Sequence, residues 1–184
     1  MTGLRIVALD LALEETGIGE HDDLGTRTFH LKAPGRGHER MDWNLNRISQ
    51  AIDGADIVAV EGPSYGSHSG SQRGHHERAG LWWLVTHSLL RASEIPYVVI
   101  PPANNKMYAT GKGNASKAAM LIAATRRFPD VDIHADDNEA DALWLLAATA
   151  DHYGYPLVTM PQAHRAALAT VPGWPVLSAL GVAS

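Results

Sequence analysis

Two short apolar runs, each closed by a carboxylate, organise the first third of the chain. Leu4 to Leu11 (LRIVALDL) carries Asp10 near its end, and Asp56 to Glu61 (DIVAVE) finishes on Glu61. Runs of this length, rich in β-branched residues, read as buried strands. Tyr97 to Ile100 is another, stopped by Pro101 and Pro102. Between the first two, Thr16 to Gly19 and Thr26 to Leu31 read as further strands of a meander, turning at His21 to Gly25. Helical spacing of apolar residues then appears at Arg36 to Ile52 through Met41, Trp43, Leu45, Ile48 and Ile52. It returns from about His76 through Leu81, Trp82, Val85, Leu89 and Leu90, from Ser116 to about Phe128, and from about Asp137 to His152. Three leading strands followed by alternating helices and strands predict one α/β domain with a mixed central sheet flanked by helices.

The pattern breaks twice. Gly62 to Gly80 begins as a loop rich in glycine, serine and histidine, directly after the strand that ends in Glu61. From Gly154 onward prolines recur, with room for one short helix at Gln162 to Thr170. Residues 1–153 are therefore expected to form the domain, with 154–184 a C-terminal tail packed on it or extending from it.

With 184 residues, 45% of them hydrophobic, the chain is large enough for one well-covered core. The absence of cysteine removes disulfides, thiolate metal sites and cysteine nucleophiles. No apolar stretch approaches a membrane span and the N-terminus lacks the form of a signal peptide, so a soluble, cytoplasmic protein with no membrane association is expected. The net charge of −5 argues against general nucleic-acid binding, but its distribution changes that picture. Acids gather at Glu14 to Asp23 and Asp130 to Asp141, whereas Lys106 to Arg127 holds Lys106, Lys112, Lys117, Arg126 and Arg127 with no acid at all. Such segregation either builds a positive strip on an acidic protein or is a solvated helix face.

The candidate chemistry lies in the acids that end buried elements. Asp10 and Glu61 close strands, while Asp137 and Asp141 are four apart on one face of the last long helix. Taken singly, a strand-end Asp is commonly a turn former, and Asp136 or Asp137 would serve as a helix cap. Asp141 resists that explanation, because among Ala140, Ala142, Leu143 and Leu146 a charge is costly unless something pairs it. Strand ends and a helix start can converge on one crevice. Carboxylates gathered there repel one another unless a hard divalent cation intervenes, and oxygen-only ligands favour Mg²⁺ or Mn²⁺. A pair of such ions is the usual device for phosphodiester hydrolysis.

Several motifs resemble those of the RuvC-type Holliday junction resolvases. Asp10-Leu-Ala-Leu-Glu-Glu-Thr16-Gly17 is similar to that family's first motif, Val60-Glu61-Gly62-Pro63 to its second acidic strand, and Asp136 to Leu143 to its closing acidic helix. Lys106 and Lys117 flank Thr110-Gly111-Lys112-Gly113 as two lysines flank a Gly-x-Gly loop in the family. The likeness covers roughly residues 4 to 150, and Pro161 to Leu168 resembles the tail of phage and actinobacterial members. It implies an RNase H-like fold and a homodimeric, Mg²⁺-dependent endonuclease, using two ions with Mn²⁺ able to substitute, that acts on branched DNA and resolves four-way junctions. The implied metal ligands and catalytic acids are Asp10, Glu61, Asp137 and Asp141. Two departures matter. Leu11-Ala12 stands where cellular members carry Pro-Gly, as in phage-type relatives, and Asn138 stands where the fourth ligand is usually found, so Asp137 and Asn138 compete for that role.

By the same resemblance Lys117 and Lys106 would meet the scissile phosphate, and a lysine near the leaving oxyanion stabilises charge that develops in the transition state. Lys112 and Arg73 are candidate phosphate contacts, and Tyr65 offers a ring for stacking on an unpaired base or a mere loop anchor. His68, His75 and His76 read as surface imidazoles. Leu81, Trp82 and Trp83 would suit a dimer interface or, for two of the three, the protein's own core. The competing functions are an RNase H-like nuclease for other branched DNA or for RNA (RuvX-like), a catalytically silent nucleic-acid-binding module, and an actin-like phosphotransferase, for which the chain is too short.

Overall fold

The computed structural model describes residues 4–63, 74–134 and 136–177. Strands β1 (Ile6–Asp10), β2 (Glu15–Asp22) and β3 (Gly25–Lys32) form an antiparallel meander, and β4 (Ile57–Glu61) and β5 (Tyr97–Ile100) add parallel to β1. The resulting mixed sheet has the order β3-β2-β1-β4-β5. The meander strands are longer than the sequence pattern predicts. They meet across Asp23 and Leu24, with Asp22 paired to Gly25, whose φ of 117° suits only glycine.

Both faces of the parallel strands are covered, as their unbroken apolar sequence requires. Val7, Leu9, Val58 and Val60 face Ile48 and Ile52 of α1 (Gly37–Ile52) and the helix that begins as α2 (His75–Trp83). Ile6, Ala8, Ile57 and Ala59 face the opposite layer, centred on α5 (Asp137–His152). Side chains alternate along a strand, so Asp10 continues the Ile6–Ala8 side and Glu61 the Ile57–Ala59 side. Both acids are thereby aimed at α5.

Two elements differ from the periodicity reading. The helix expected from His76 onward changes to a π-helix at Leu84–Arg91. The Pro101-Pro102 pair stops β5 as read, and it also starts a helix that the pattern did not predict, α3 (Pro102–Thr110). Proline is well placed at the first helical position, where its missing N–H has no partner to lose. The helix ends at Gly111 in the left-handed conformation, φ 77°. Ser116 caps α4 (Lys117–Arg127), its Oγ accepting from the Ala119 N–H at 3.2 Å. The short helix of the tail is divided into α6 (Gln162–Arg165) and a 3₁₀ turn (Ala166–Thr170).

Every residue of α5 from Glu139 to Asp151 is buried. Its alanines and the glycines of β2 let backbone approach backbone. A Cβ at Gly17 would overlap the Asn138 carbonyl, and one at Gly19 would lie 3.0 Å from the Ala142 oxygen. The tail covers the outer side of this layer. Asn104 Nδ2 donates to the carbonyl of Ala167 at 2.8 Å, Tyr153 donates to that of Pro175 at 2.7 Å, and the Trp174 ring stacks on His152 at 3.8 Å. Among the described residues no helix is long and apolar enough to cross a membrane.

Candidate active site

Leu9 lies opposite Val60 in the parallel β1–β4 pair, so the next residues, Asp10 and Glu61, leave the sheet side by side. Their carboxyl groups are hydrogen-bonded to each other. Burial raises the pKa of both, and for Glu61 the charges of Asp10 and then Asp141 add to it. The pair therefore retains a proton under conditions in which solvated carboxyls are ionised. Asp141 faces them from the first turns of α5 with 7% of its surface exposed. Burial, and then the charge of Asp10, push it up to about 7. Its Oδ1 is buried without a hydrogen-bond partner. The other two such side-chain atoms among the described residues are the amide oxygens of Asn44 and Asn105, which carry no charge.

Two lysines border the group. Lys117, at the start of α4, places Nζ 2.7 Å from Asp137 Oδ2 and 3.5 Å from Asn138 Oδ1. The hydrogen bond to Lys117 holds Asp137 below the usual carboxylate range. The fields of Lys117 and Lys106 both act to lower Asp141, and that of Lys106 also acts on Glu61. Asp10, Glu61, Asp137, Asp141, Lys106 and Lys117 thus form one electrostatic group. No three acidic or histidine side chains among the described residues already surround a common ion-binding point. Asp10 instead bonds Glu61, and Asp137 pairs with Lys117.

The remaining candidates fall elsewhere. Lys112 is exposed on the turn after α3, where its N–H donates to Thr110 Oγ1 at 3.2 Å. Tyr65, His68 and Arg73 lie outside the described residues. His75 and His76 are exposed at the start of α2. Leu81 is buried, Trp82 is half-buried and Trp83 is 64% exposed, so two of the three pack inward. Beside Asn138 opens a cleft of about 820 Å³ lined by Arg36, Arg40 and Arg78 together with Glu14, Glu15 and Glu77.

Several residues build this site in ways that the sequence pattern does not express. Thr16 Oγ1 donates to the Ala12 carbonyl at 2.8 Å and accepts from the Ala12 N–H at 3.2 Å, closing the loop after Asp10. Gly17, opposite Asp10 in the ladder, admits the first turn of α5. The spacing from Asp10 to Thr16-Gly17 thereby acquires a physical meaning. Trp82 Nε1 donates to the Glu61 carbonyl at 3.1 Å, and Asn105 Nδ2 donates to the Asp141 carbonyl at 3.2 Å, tying neighbouring helices to the acid-bearing backbone.

A mixed sheet of this order, with acids at the ends of its first and fourth strands and a third acid on a covering helix, places the chain in the RNase H-like class of folds. Within that class it shares the fold of RuvC. The Thermus thermophilus RuvC structure superposes with a TM-score of 0.60 at 15% sequence identity, covering 86% of this chain and 100% of that one. T. thermophilus RuvC in complex with a Holliday junction substrate gives 0.63 at 17% identity, with the same coverage. No protein-family model and no curated protein sequence matches the chain.

Proposed function

We propose that the protein is a divalent-metal-dependent DNA endonuclease that resolves four-way junctions. The observation that carries this reading is the orphaned Oδ1 of Asp141, buried beside the proton-sharing pair Asp10 and Glu61. Three carboxyl groups so placed are stable only while protonated or when a cation replaces the protons. Asp10, Glu61 and Asp141 would hold that cation, with Asp137 or Asn138 as the fourth group. An all-oxygen donor set fits Mg²⁺, with Mn²⁺ as a substitute, and two ions would serve an in-line displacement. Bound there, the metal supplies an activated water and neutralises charge developing on the phosphate.

The chain's own groups do the rest. Lys117 and Lys106 stand beside the acids, where a phosphodiester entering the crevice brings its leaving oxygen within reach of an ammonium group. Burial on the α5 side excludes bulk water from one wall of the crevice. The DNA strand would continue along the arginine-bearing cleft on one side and past Lys112 on the other. Tyr65, as a ring for stacking at the junction centre, and Arg73, as a phosphate contact, remain proposals from the sequence that follows Glu61. A homodimer built on the exposed face of α2 around Trp83 would present two centres to opposed strands. The protein would act in the cytoplasm.

Support for junctions as substrate comes from the likeness in fold to T. thermophilus RuvC in complex with a Holliday junction substrate. A panel of junction, flap, Y-fork, linear duplex and RNA, with and without Mg²⁺, tests the reading. Cleavage of the junction alone, in paired symmetric nicks and only with the metal, is expected. Equal cutting of every DNA would leave a nuclease and remove the resolvase. In the same assay Asp137→Asn is expected to reduce Mg²⁺-supported cleavage far more than Asn138→Ala, and the reverse ranking would assign the fourth ligand to Asn138.

A further inference from the structure

Glu139 is 1% exposed, yet it takes no part in the acid group, lying between Asp137 and Asp141 in sequence but pointing away from both. Residues four apart share a helix face, and a residue midway between them lies nearly opposite. From that opposite face Glu139 reaches across β2 to β3. Its Oε2 accepts from Thr28 Oγ1 at 2.9 Å and is 3.1 Å from His134 Nδ1, while its Oε1 is 2.9 Å from His30 Nδ1. His134 sits just ahead of the helix in a left-handed backbone conformation, φ 46°. That conformation is unfavourable for a non-glycine residue and needs surrounding contacts to hold it. The single hydroxyl proton of Thr28 is shared with the Asp132 carbonyl at 3.0 Å, so the loop before α5 and its first turn are tied to the same strand.

Each strand of the meander thus has a distinct part in setting this helix. β1 supplies Asp10, β2 supplies the glycines against which the helix backbone rests, and β3 supplies the partners of Glu139. The later turns of α5 are held independently, by Trp144 between Tyr108 and Phe128 and by a buried apolar layer around it. Loss of the Glu139 contacts would therefore release mainly the first turn, which carries Asp137 and Asn138.

We infer that Glu139 is a positioning residue of the metal centre, latching the first turn of α5 to Thr28 and His30 of β3 so that Asp137 or Asn138 meets Asp10 and Asp141. The inference rests on the metal-site reading above and deepens it. Groups that orient ligands without touching the ion change metal affinity about 10- to 100-fold when removed.

The test is a Mg²⁺ titration of unfolding temperature for the full chain, with His30→Ala, Thr28→Val and Glu139→Gln alongside the wild type. The Mg²⁺ concentration giving half the maximal shift should rise about tenfold or more in the variants. Junction affinity in the absence of divalent ions should stay unchanged. His30 is partly exposed, so His30→Ala keeps the test alive if the Glu139 variant does not fold. Unfolding temperatures lowered by the same amount with and without Mg²⁺, at an unshifted half-saturation, would show a purely structural latch and overturn the inference. A wild type that binds Mg²⁺ but cuts no branched DNA would defeat the proposed function and leave this inference to the titration. A wild type with no response to Mg²⁺ or Mn²⁺ would remove both.

Discussion

Helix α5 buries two aspartates ten residues apart, Asp141 and Asp151, at 7% and 3% exposure in the same alanine-rich surroundings. Asp151 is saturated. Arg165 grips it with Nε 2.9 Å from Oδ2 and Nη2 2.8 Å from Oδ1, and the Tyr108 hydroxyl donates to Oδ2 at 3.1 Å. Asp141 has an oxygen with no partner, two further acids for neighbours, and lysines that act on it only through their field. The first is a finished structural ion pair that fastens the tail to the helix. The second is an unfinished site. A buried carboxylate becomes informative about function when the fold leaves its charge uncompensated.

The largest expected effect separates the two by activity. Asp141→Asn, like Asp10→Asn or Glu61→Gln, removes an anionic oxygen with little change of volume. Mg²⁺-supported junction cleavage should fall by about 10³-fold or more, as several kcal/mol of charge stabilisation disappear. Metal-free stability should hold or rise, and junction binding in Ca²⁺ should survive. Near wild-type turnover in any of the three variants would exclude that residue as a ligand.

Asp151→Asn should do the reverse. Breaking a buried pair on one side costs about 3–5 kcal/mol. The low end applies here because the Arg165 side chain is half exposed and can be rehydrated. Denaturant unfolding should show that loss, with cleavage per folded molecule unchanged. A catalytic defect without lost stability would erase the contrast.

Dependence on pH sharpens it further. The pKa of Asp141 is raised to about 7 in the folded chain from 3.8, so the native state holds a proton that the unfolded state has released. Between those two values the metal-free protein should therefore lose stability as pH rises, by on the order of a few kcal/mol, and the loss from this group should be complete a little above 7. The raised pair Asp10 and Glu61 acts in the same direction. Mg²⁺ should restore the loss, and its stabilising effect should grow with pH. Thermal unfolding from pH 5 to 9, with and without Mg²⁺, reads both trends, and a metal-free stability that climbs over this range contradicts the assigned strain.

The smallest effect lies outside the comparison's core. Lys112 is exposed and away from the acids, so Lys112→Ala should weaken junction and duplex about equally and reduce the salt slope of binding by roughly 0.9. A loss confined to catalysis would move Lys112 into the centre.

Much of this was legible in the sequence because the site grows from strongly patterned elements. Apolar runs ending in Asp10 and Glu61 fix two strand ends, and the cost of a charge amid Ala140, Ala142 and Leu143 marks Asp141 as needing a partner. The helix α3 was hidden because a proline pair has the same sequence signature whether it stops a strand or starts a helix. The π-helical turns at Leu84–Arg91 leave no distinct mark in apolar spacing. Glu139 was passed over because two acids beside it already accounted for the motif. The signal that finds it is tertiary: alternate residues Thr28 and His30 on β3 face an acid on a helix with no exposed side. Trp82 and Asn105 escape for a related reason, since each holds the backbone of an acid of this group rather than its side chain.

The central claim is that Asp141 and its acid neighbours are held ready for a divalent cation. Calorimetric titration of Mg²⁺ and Mn²⁺ into the wild type and Asp141→Asn at pH 7, repeated in buffers of different ionisation enthalpy, tests it most directly. The account predicts saturable binding by the wild type with release of protons as the ion replaces them, and binding lost or greatly weakened in the variant. Equal binding by both proteins, or binding by the wild type without proton release, would contradict it.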